Sequence, residues 1–389
     1  MRSLTPALVA RSSAPAMPRE DRLPYDRTWL SKDYFIGKVS KEQMPLRSAD
    51  LYKEHHIELL LNKQAVQVDA RLKTITFADG DSLSYNALLL ATGGKPRQLD
   101  VPGTDLQNVF TLRSFADTEQ ILAAAGQASR AVVIGSSFIG MEAASSLTQR
   151  GLAVTVVSPD SLPFKTILGE EIGQIFQKVH EESGVSFQLG RKVTRFEGNS
   201  KVEAVILDNG DRLTADLVVI GIGVQPATES LQGVALHPED QSVPVNEYLQ
   251  AAEGLYAAGD IARIPDWRTG AAIRIEHWRV AAQQGRIAAY NMAGRSVKFR
   301  GVPVFWTMQF QFPLRYVGYA QQWDEIIFNG DLQKRQFIAF YVKDNHVLAA
   351  ATSQRDTETA AISELMRLNQ MPPLEALRDS SLDLVALLH

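Results

Sequence analysis

Gly135-Ser136-Ser137-Phe138-Ile139-Gly140 joins an apolar run, Ala131–Ile134, to a stretch in which Met141, Ala144 and Leu147 recur on one side. That spacing predicts a strand, a tight turn over Gly135–Gly140 and a helix over Met141–Gln149. Gly135 permits the turn, and Gly140 lets the helix pack closely on the sheet. The free N–H groups opening the helix then form an anion site suited to a pyrophosphate. Ser137 stands where such loops commonly carry a middle glycine, and its Cβ crowds the approach. The plain alternative is a strand–helix turn without a ligand. Twenty positions beyond Gly140, Ser158-Pro159-Asp160 ends the next predicted strand, Val154–Val157. A carboxylate there can accept hydrogen bonds from both adenosine ribose hydroxyls and would repel a 2′-phosphate, which favours NADH over NADPH. Lys165 lies close enough in sequence to alter that charge balance, and an ordinary turn acid after proline is the other reading of Asp160.

The elements that must carry these residues follow from periodicity and turn residues. Strands are predicted at Ala65–Asp69, Thr74–Phe77 and Ala87–Leu90, the last running into Ala91-Thr92-Gly93-Gly94. After the nucleotide-type loop come a helix over Glu170–Glu182, a strand near Val185–Leu189, paired strands through Val202–Leu207 and Arg212–Leu213 about Asp208-Asn209-Gly210-Asp211, and an apolar strand Leu217–Ile220. Leu255–Ala258 reads as a short strand ending at Gly259-Asp260, and Trp278–Met292 as a long helix. From Val302 alternating strands, with Phe337–Val342 and Val347–Thr352 the clearest, precede a helix Thr357–Leu368, the pattern of a separate α+β domain.

Composition narrows the chemistry. Among 389 residues, 40 Lys+Arg stand against 44 Asp+Glu, a net charge of −4 that gives no electrostatic reason to expect nucleic acid or an anionic membrane as partner. The longest apolar runs, such as Leu217 to Val224, are strand-sized, so no membrane span is expected. The chain has no cysteine, which excludes disulfides, Cys-based zinc sites, iron–sulfur ligation and a redox-active Cys pair; redox chemistry would need a cofactor. The seven His are scattered, and His55–His56 lacks a helically spaced acid, so no metal is assigned. The first nineteen residues carry Arg2, Arg11 and Arg19 and no acid, a composition that suits a mitochondrial transit segment or a disordered or substituted terminus.

Seven short stretches then fall into a known order: Leu23-Pro24-Tyr25-Asp26-Arg27, Leu30-Ser31-Lys32, Ala91-Thr92-Gly93, the Gly135–Glu142 loop, Gly221-Ile222-Gly223, Tyr256-Ala257-Ala258-Gly259-Asp260 and Glu276-His277-Trp278. Over roughly residues 22 to 370 the chain resembles FAD-dependent pyridine-nucleotide reductases of the ferredoxin-reductase and apoptosis-inducing-factor branch, third-member type. The resemblance implies an α/β fold with two Rossmann-like three-layer domains and a C-terminal α+β domain. Residues 1–21 would be a variable N-terminus, 22–110 with 235–300 a discontinuous, truncated FAD domain, 111–234 the NAD(P) domain, and 301–389 the C-terminal domain.

It also implies roles. Asp260 would bind a ribityl hydroxyl of FAD, Arg27 and Arg97 would be cationic contacts, Val66 a backbone contact near the adenine, and Thr92 and Gly93 part of the same site. Lys32 and Glu142 resemble a pair beside the flavin N5 that holds charge without a net field and tunes the ring. Glu276, His277 and Trp278 resemble a helix entry near the pyrimidine, with Trp306 over the ring region. On the NAD side, Gly135 and Gly140 shape the loop, Ser136, Ser137, Phe138 and Ile139 line the nicotinamide and phosphate path, Gly223 is a dinucleotide contact, and Asp160 and Lys165 flank the ribose. The family opens with its own strand and Gly-x-Gly-x-x-Gly loop about thirty residues before Leu23, and Met1–Asp21 contains no glycine to rebuild it, so the first domain's sheet is expected to have a gap.

The expected function is FAD-dependent transfer of hydride from NAD(P)H to flavin and on to an unidentified acceptor other than a disulfide: a ferredoxin-like protein, a quinone or oxygen. The alternative is a truncated, non-catalytic NAD(H)-binding or interaction protein. The expected setting is intracellular, with cytoplasm or mitochondrion left open, and the oligomeric state stays open too, a homodimer included.

Overall fold

The computed structural model describes residues 20–389; the reading of the first nineteen residues as a transit or disordered segment without a phosphate-cradling turn lies outside them. The chain divides into two compact units, each built from separated segments. The first comprises the residues up to Arg27, Val39–Lys95 and Gln225–Arg300; the second comprises Thr28–Lys38, Pro96–Val224 and Gly301–His389. No helix among the described residues is long and apolar enough to cross a membrane.

The second unit is organised by a five-stranded parallel sheet in the order Val109–Thr111, Leu217–Ile220, Arg130–Ile134, Ala153–Ser158, Ser186–Leu189. Its central strands are apolar at successive positions because both faces are covered. Val133, Val154, Val156 and Val219 pack against Met141, Ala144 and Leu147 of the helix Phe138–Gln149. Val132, Ile134, Val157, Val218 and Ile220 pack against Phe196, Val205 and Leu207 of an antiparallel three-stranded sheet. The result is the three-layer arrangement expected, with the hairpin at Asp208–Asp211 where turn chemistry placed it. The helix starts at Phe138 rather than Met141, because Ser137 is extended and caps it, so the turn shrinks to Gly135–Ser137 and Gly140 sits within the first helical turn.

The C-terminal part of this unit is a five-stranded antiparallel sheet, Val304–Gln309, Phe312–Gly318, His346–Ser353, Gln336–Lys343, Glu325–Asp331. Its strands alternate between two cores. Phe337, Ala339 and Tyr341 join the core of the helix Phe138–Gln149, whereas Ile338, Phe340 and Val342 pack on Ile362 and Leu365 of the helix Asp356–Leu368. Three of the five strands were not individually expected. The link between the first two is Phe310-Gln311, with Phe310 at φ +54°, and contains neither Gly nor Asn to signal a hairpin.

The first unit holds a four-stranded sheet (Leu231–Gln232, Ala65–Asp69, Thr74–Phe77, Ser82–Ser84) and two three-stranded ones. In one of these, Leu88–Leu90 runs parallel to Leu255–Ala257 and is the edge strand among the described residues, so its outer side has no parallel neighbour there. The other joins Val243–Pro244, Ala262–Pro265 and Ala272–Arg274. The helix Trp278–Met292 buries Val280, Gln284, Ala288 and Asn291, one stripe at helical spacing.

Candidate functional site

In the second unit the glycine positions are dictated by sterics. A Cβ on Gly135, at φ +107°, would stand 2.4 Å from the Gly221 carbonyl oxygen, and one on Gly140 would stand 2.1 Å from that of Gly135. The three backbones therefore meet at the C-terminal ends of adjacent parallel strands, where no larger residue fits. Ser136 is buried and its Oγ donates to Ser158 Oγ at 2.8 Å, tying the loop to the neighbouring strand end. Ser137 Oγ accepts from Phe138 N–H at 2.8 Å, so the serine that replaces the middle glycine uses up one donor at the helix start. Ile139 is exposed and Phe138 packs 4.8 Å from the ring of Phe164.

Phe164 carries no signal in the sequence. It is buried at φ +57°, a strained conformation for an aromatic residue, and its N–H donates to Ser136 O at 3.1 Å. The loop after Asp160 is thereby fastened to the loop before the helix. Asp160 is exposed at the strand end and its carboxylate meets no donor among the described residues. Lys165 turns instead to Ser161 Oγ at 3.1 Å and Glu170 at 3.9 Å. Gly223, at φ +92°, accepts from the Arg97 N–H at 2.9 Å, so Arg97 and Gly223 are neighbours.

The same unit brings Lys32 and Glu142 together across 110 residues of sequence, at 2.7 Å, with side chains 14% and 5% exposed. Both Glu142 oxygens are used. Oε2 accepts from Lys32 and from Ser31 Oγ at 2.6 Å, and Oε1 accepts from Thr307 Oγ1 at 2.8 Å. Gln309 Nε2 donates to Thr307 Oγ1 at 3.3 Å, and Ser146 Oγ donates to the Ser31 carbonyl at 2.6 Å. A buried ion pair of this kind is costly to desolvate and persists only where its remaining hydrogen-bonding capacity is met, as it is here. Lys32 Nζ lies 5.8 Å from the ring centre of Trp306, whose side is partly exposed. Ser31 and Thr307 were missed, although each adjoins a residue singled out in the sequence.

The first unit holds the other flavin candidates. Arg27 pairs with Glu20, and its guanidinium lies 5.0 Å from the Tyr25 ring centre, so this cation is already held in place. Val66 is exposed on its strand. Thr92 Oγ1 donates to Ala227 O at 2.8 Å and Gly93 O accepts from Ala227 N–H at 2.9 Å, which fixes the turn after Leu88–Leu90. Gly259, at φ +80°, donates to Gln284 Oε1 at 2.7 Å, and a Cβ there would press on Ala281 Cβ at 3.2 Å. Asp260 follows in a short 3-10 turn, Glu276 receives Arg274, His277 caps the helix by accepting from Arg279 N–H at 3.4 Å, and Trp278 is 47% exposed. A left-handed glycine with little room for a Cβ, followed by a carboxylate at a strand end, fits a polyhydroxyl chain such as the ribityl of FAD. Among the described residues no group of His, Asp and Glu could hold a metal ion.

Residues 7–285 match the model for the pyridine nucleotide-disulphide oxidoreductase family and residues 304–388 the model for the reductase C-terminal domain. The chain belongs to this family, and having no cysteine it lacks the disulphide of the family's name. It is 37% identical over 348 residues to apoptosis-inducing factor 3 of Mus musculus, covering 88% of this chain but only 57% of that protein, little more than half its length. It is 32% identical over 343 residues to putidaredoxin reductase of Pseudomonas putida, covering 86% and 81%. Among solved structures, a covalent putidaredoxin reductase–putidaredoxin complex matches with a TM-score of 0.92 at 29% identity over 98% of this chain and 93% of that one. The ferredoxin reductase for the CYP199A2 system of Rhodopseudomonas palustris matches at 0.90 and 28%, over 97% and 93%.

Proposed function

We propose that this protein is an FAD-dependent oxidoreductase that takes hydride from NADH and passes reducing equivalents to a ferredoxin-like protein, with a quinone or oxygen as the other acceptors. When bound, FAD would supply the ring that accepts hydride. The chain's own part is to hold and to tune. Asp260, Glu276, His277, Trp278, Thr92 and Gly93 of the first unit, with Arg27 and Val66, are the residues we assign to FAD, joined by Lys32, Arg97 and Trp306. The turn Gly135–Ser137 and the helix start at Phe138 and Ile139 take the dinucleotide, with Gly223 and Asp160.

The single observation that carries this reading is the Lys32–Glu142 pair. Two charges from separate motifs are buried together at 2.7 Å, with every carboxylate oxygen hydrogen-bonded, and nothing in packing alone calls for that expense. NADH is preferred over NADPH because Lys165 is engaged by Ser161 and Glu170, which leaves the Asp160 charge to repel a 2′-phosphate. The ferredoxin-like acceptor is supported by the putidaredoxin reductase relatives and by the absence of any internal thiol. The proposed setting is the cell interior, cytoplasm or mitochondrion. The test is anaerobic addition of NADH to the full chain supplemented with FAD. Bleaching of bound flavin supports the reading, whereas NADH binding without flavin retention returns the protein to the non-catalytic alternative.

A further inference from the structure

The strands Ala262–Pro265 and Ala272–Arg274 carry a compact charge cluster behind the Gly259–Ile261 turn. Asp240 is its centre. Its Oδ2 accepts from Arg263 Nη2 at 2.8 Å and Arg274 Nε at 2.7 Å, and its Oδ1 from Ser242 Oγ at 2.6 Å and Ser242 N–H at 3.2 Å. All three charged side chains are about 15% exposed, too enclosed for an ordinary surface pair. Burial works against ionisation of Asp240, but the donors from Ser242, Arg274 and Arg263 outweigh it and hold the carboxyl well below its ordinary range.

The two arginines differ in what else they touch. Arg263 Nη1 reaches the Ala272 carbonyl at 3.0 Å, a bond within the sheet. Arg274 Nη1 spends its two hydrogens on the Asp260 backbone carbonyl at 3.2 Å and on Glu276 Oε1 at 2.6 Å. The Asp260 turn carries the Ala262 N–H to Gly259 O bond and is pinned at the Gly259 N–H by Gln284 Oε1, and Arg274 is the side chain that fastens its Asp260 carbonyl. One planar, anchored guanidinium thus meets both acidic residues assigned to FAD. A lysine has no such fork.

We propose that Arg274, anchored by Asp240, is a positioning residue that sets the Asp260 turn and the Glu276 carboxylate for ligand binding. This rests on the flavin reading above for its ligand, but its geometry does not require the ligand to be present. The test compares Arg274→Ala with Arg263→Ala, which loses the same anchor but neither acidic residue, in the full chain. Amide hydrogen exchange is read in the FAD-free protein and FAD affinity by fluorescence titration, with NADH binding as the check that the second unit is folded. In Arg274→Ala, exchange over Gly259–Ala262 should quicken about tenfold and FAD affinity fall tenfold or more, with millimolar methylguanidine restoring both; Arg263→Ala should stay within about twofold. Should Arg274→Ala not fold, Arg274→Lys takes its place with the same expectation, apart from rescue. Equal effects from the two arginines, or exchange unchanged in the Arg274 variant, would overturn the proposal. If the unaltered protein takes up no FAD while the exchange rates still separate the two variants, the positioning role stands and the flavin reading fails.

Discussion

Adding one carbon at Gly140 should damage dinucleotide binding far more than flavin uptake. The new Cβ would sit 2.1 Å from the Gly135 oxygen and 3.0 Å from its carbonyl carbon, both backbone atoms that cannot rotate away. To reach an ordinary contact, the helix start or the loop must retreat by about 1 Å, and overpacking of that kind costs about 1–3 kcal/mol. The retreat falls on the peptide groups of Ser136–Ile139, whose N–H groups are the proposed phosphate donors. Gly140→Ala should therefore weaken NADH binding about 5- to 150-fold, the range that energy spans at RT of about 0.6 kcal/mol. Gly140→Val should weaken it further. Calorimetric titration of NADH into the full chain measures the loss, and FAD titration of the same sample, most of whose assigned residues lie in the first unit, should change far less. An alanine variant that binds NADH with unchanged affinity would refute the steric argument and the loop's assignment together.

Other expectations follow from single contacts. Asp260→Ala should show the opposite selectivity, losing FAD while NADH affinity persists, as separate titrations of the two ligands would report. Lys32→Met leaves Glu142 buried with hydroxyl donors but no counter-charge and should lower stability by about 3–5 kcal/mol in urea unfolding; adding Glu142→Leu should recover much of that loss. Asp160→Ser removes the charge that opposes a 2′-phosphate and should raise kcat/KM for NADPH relative to NADH at least tenfold in steady-state assays. His180, fully buried between the Phe176 and Met141 carbonyls, is kept neutral because burial lowers its pKa from 6.5. The unfolded chain then binds the extra proton first, so stability falls as pH drops below about 6.5, by up to about 1.4 kcal/mol per pH unit. His180→Phe should flatten that limb in urea titrations at pH 5 to 7.

What was legible in the sequence is what local chemistry controls. Apolar strands with covered faces, such as Leu217–Ile220, the helix Glu170–Glu182 with its buried stripe Ile172, Phe176 and Val179, and the Asn209-Gly210 turn all write themselves into neighbouring residues. The strand Val304–Gln309 did not, because its hairpin relies on Phe310, which is held in a left-handed conformation by contacts from elsewhere: its N–H meets Ser145 Oγ at 3.0 Å and its ring faces His180 at 5.0 Å. The same division holds at the site. Lys32 and Glu142 were visible through motif order, yet Thr307 enters from 165 residues away and left only its adjacency to Trp306 as a clue. Asp240, which organises Arg263 and Arg274, lies in a loop of ordinary polar residues and left none.

The proposed function requires that this chain retain FAD and let NADH reduce it. The most direct measurement is the visible spectrum of the purified full chain after FAD supplementation and removal of free cofactor, recorded anaerobically before and after one equivalent of NADH. Stoichiometric flavin absorbance that bleaches on addition is the expected result. A folded, colourless protein, or bound flavin that NADH leaves oxidised, would contradict it.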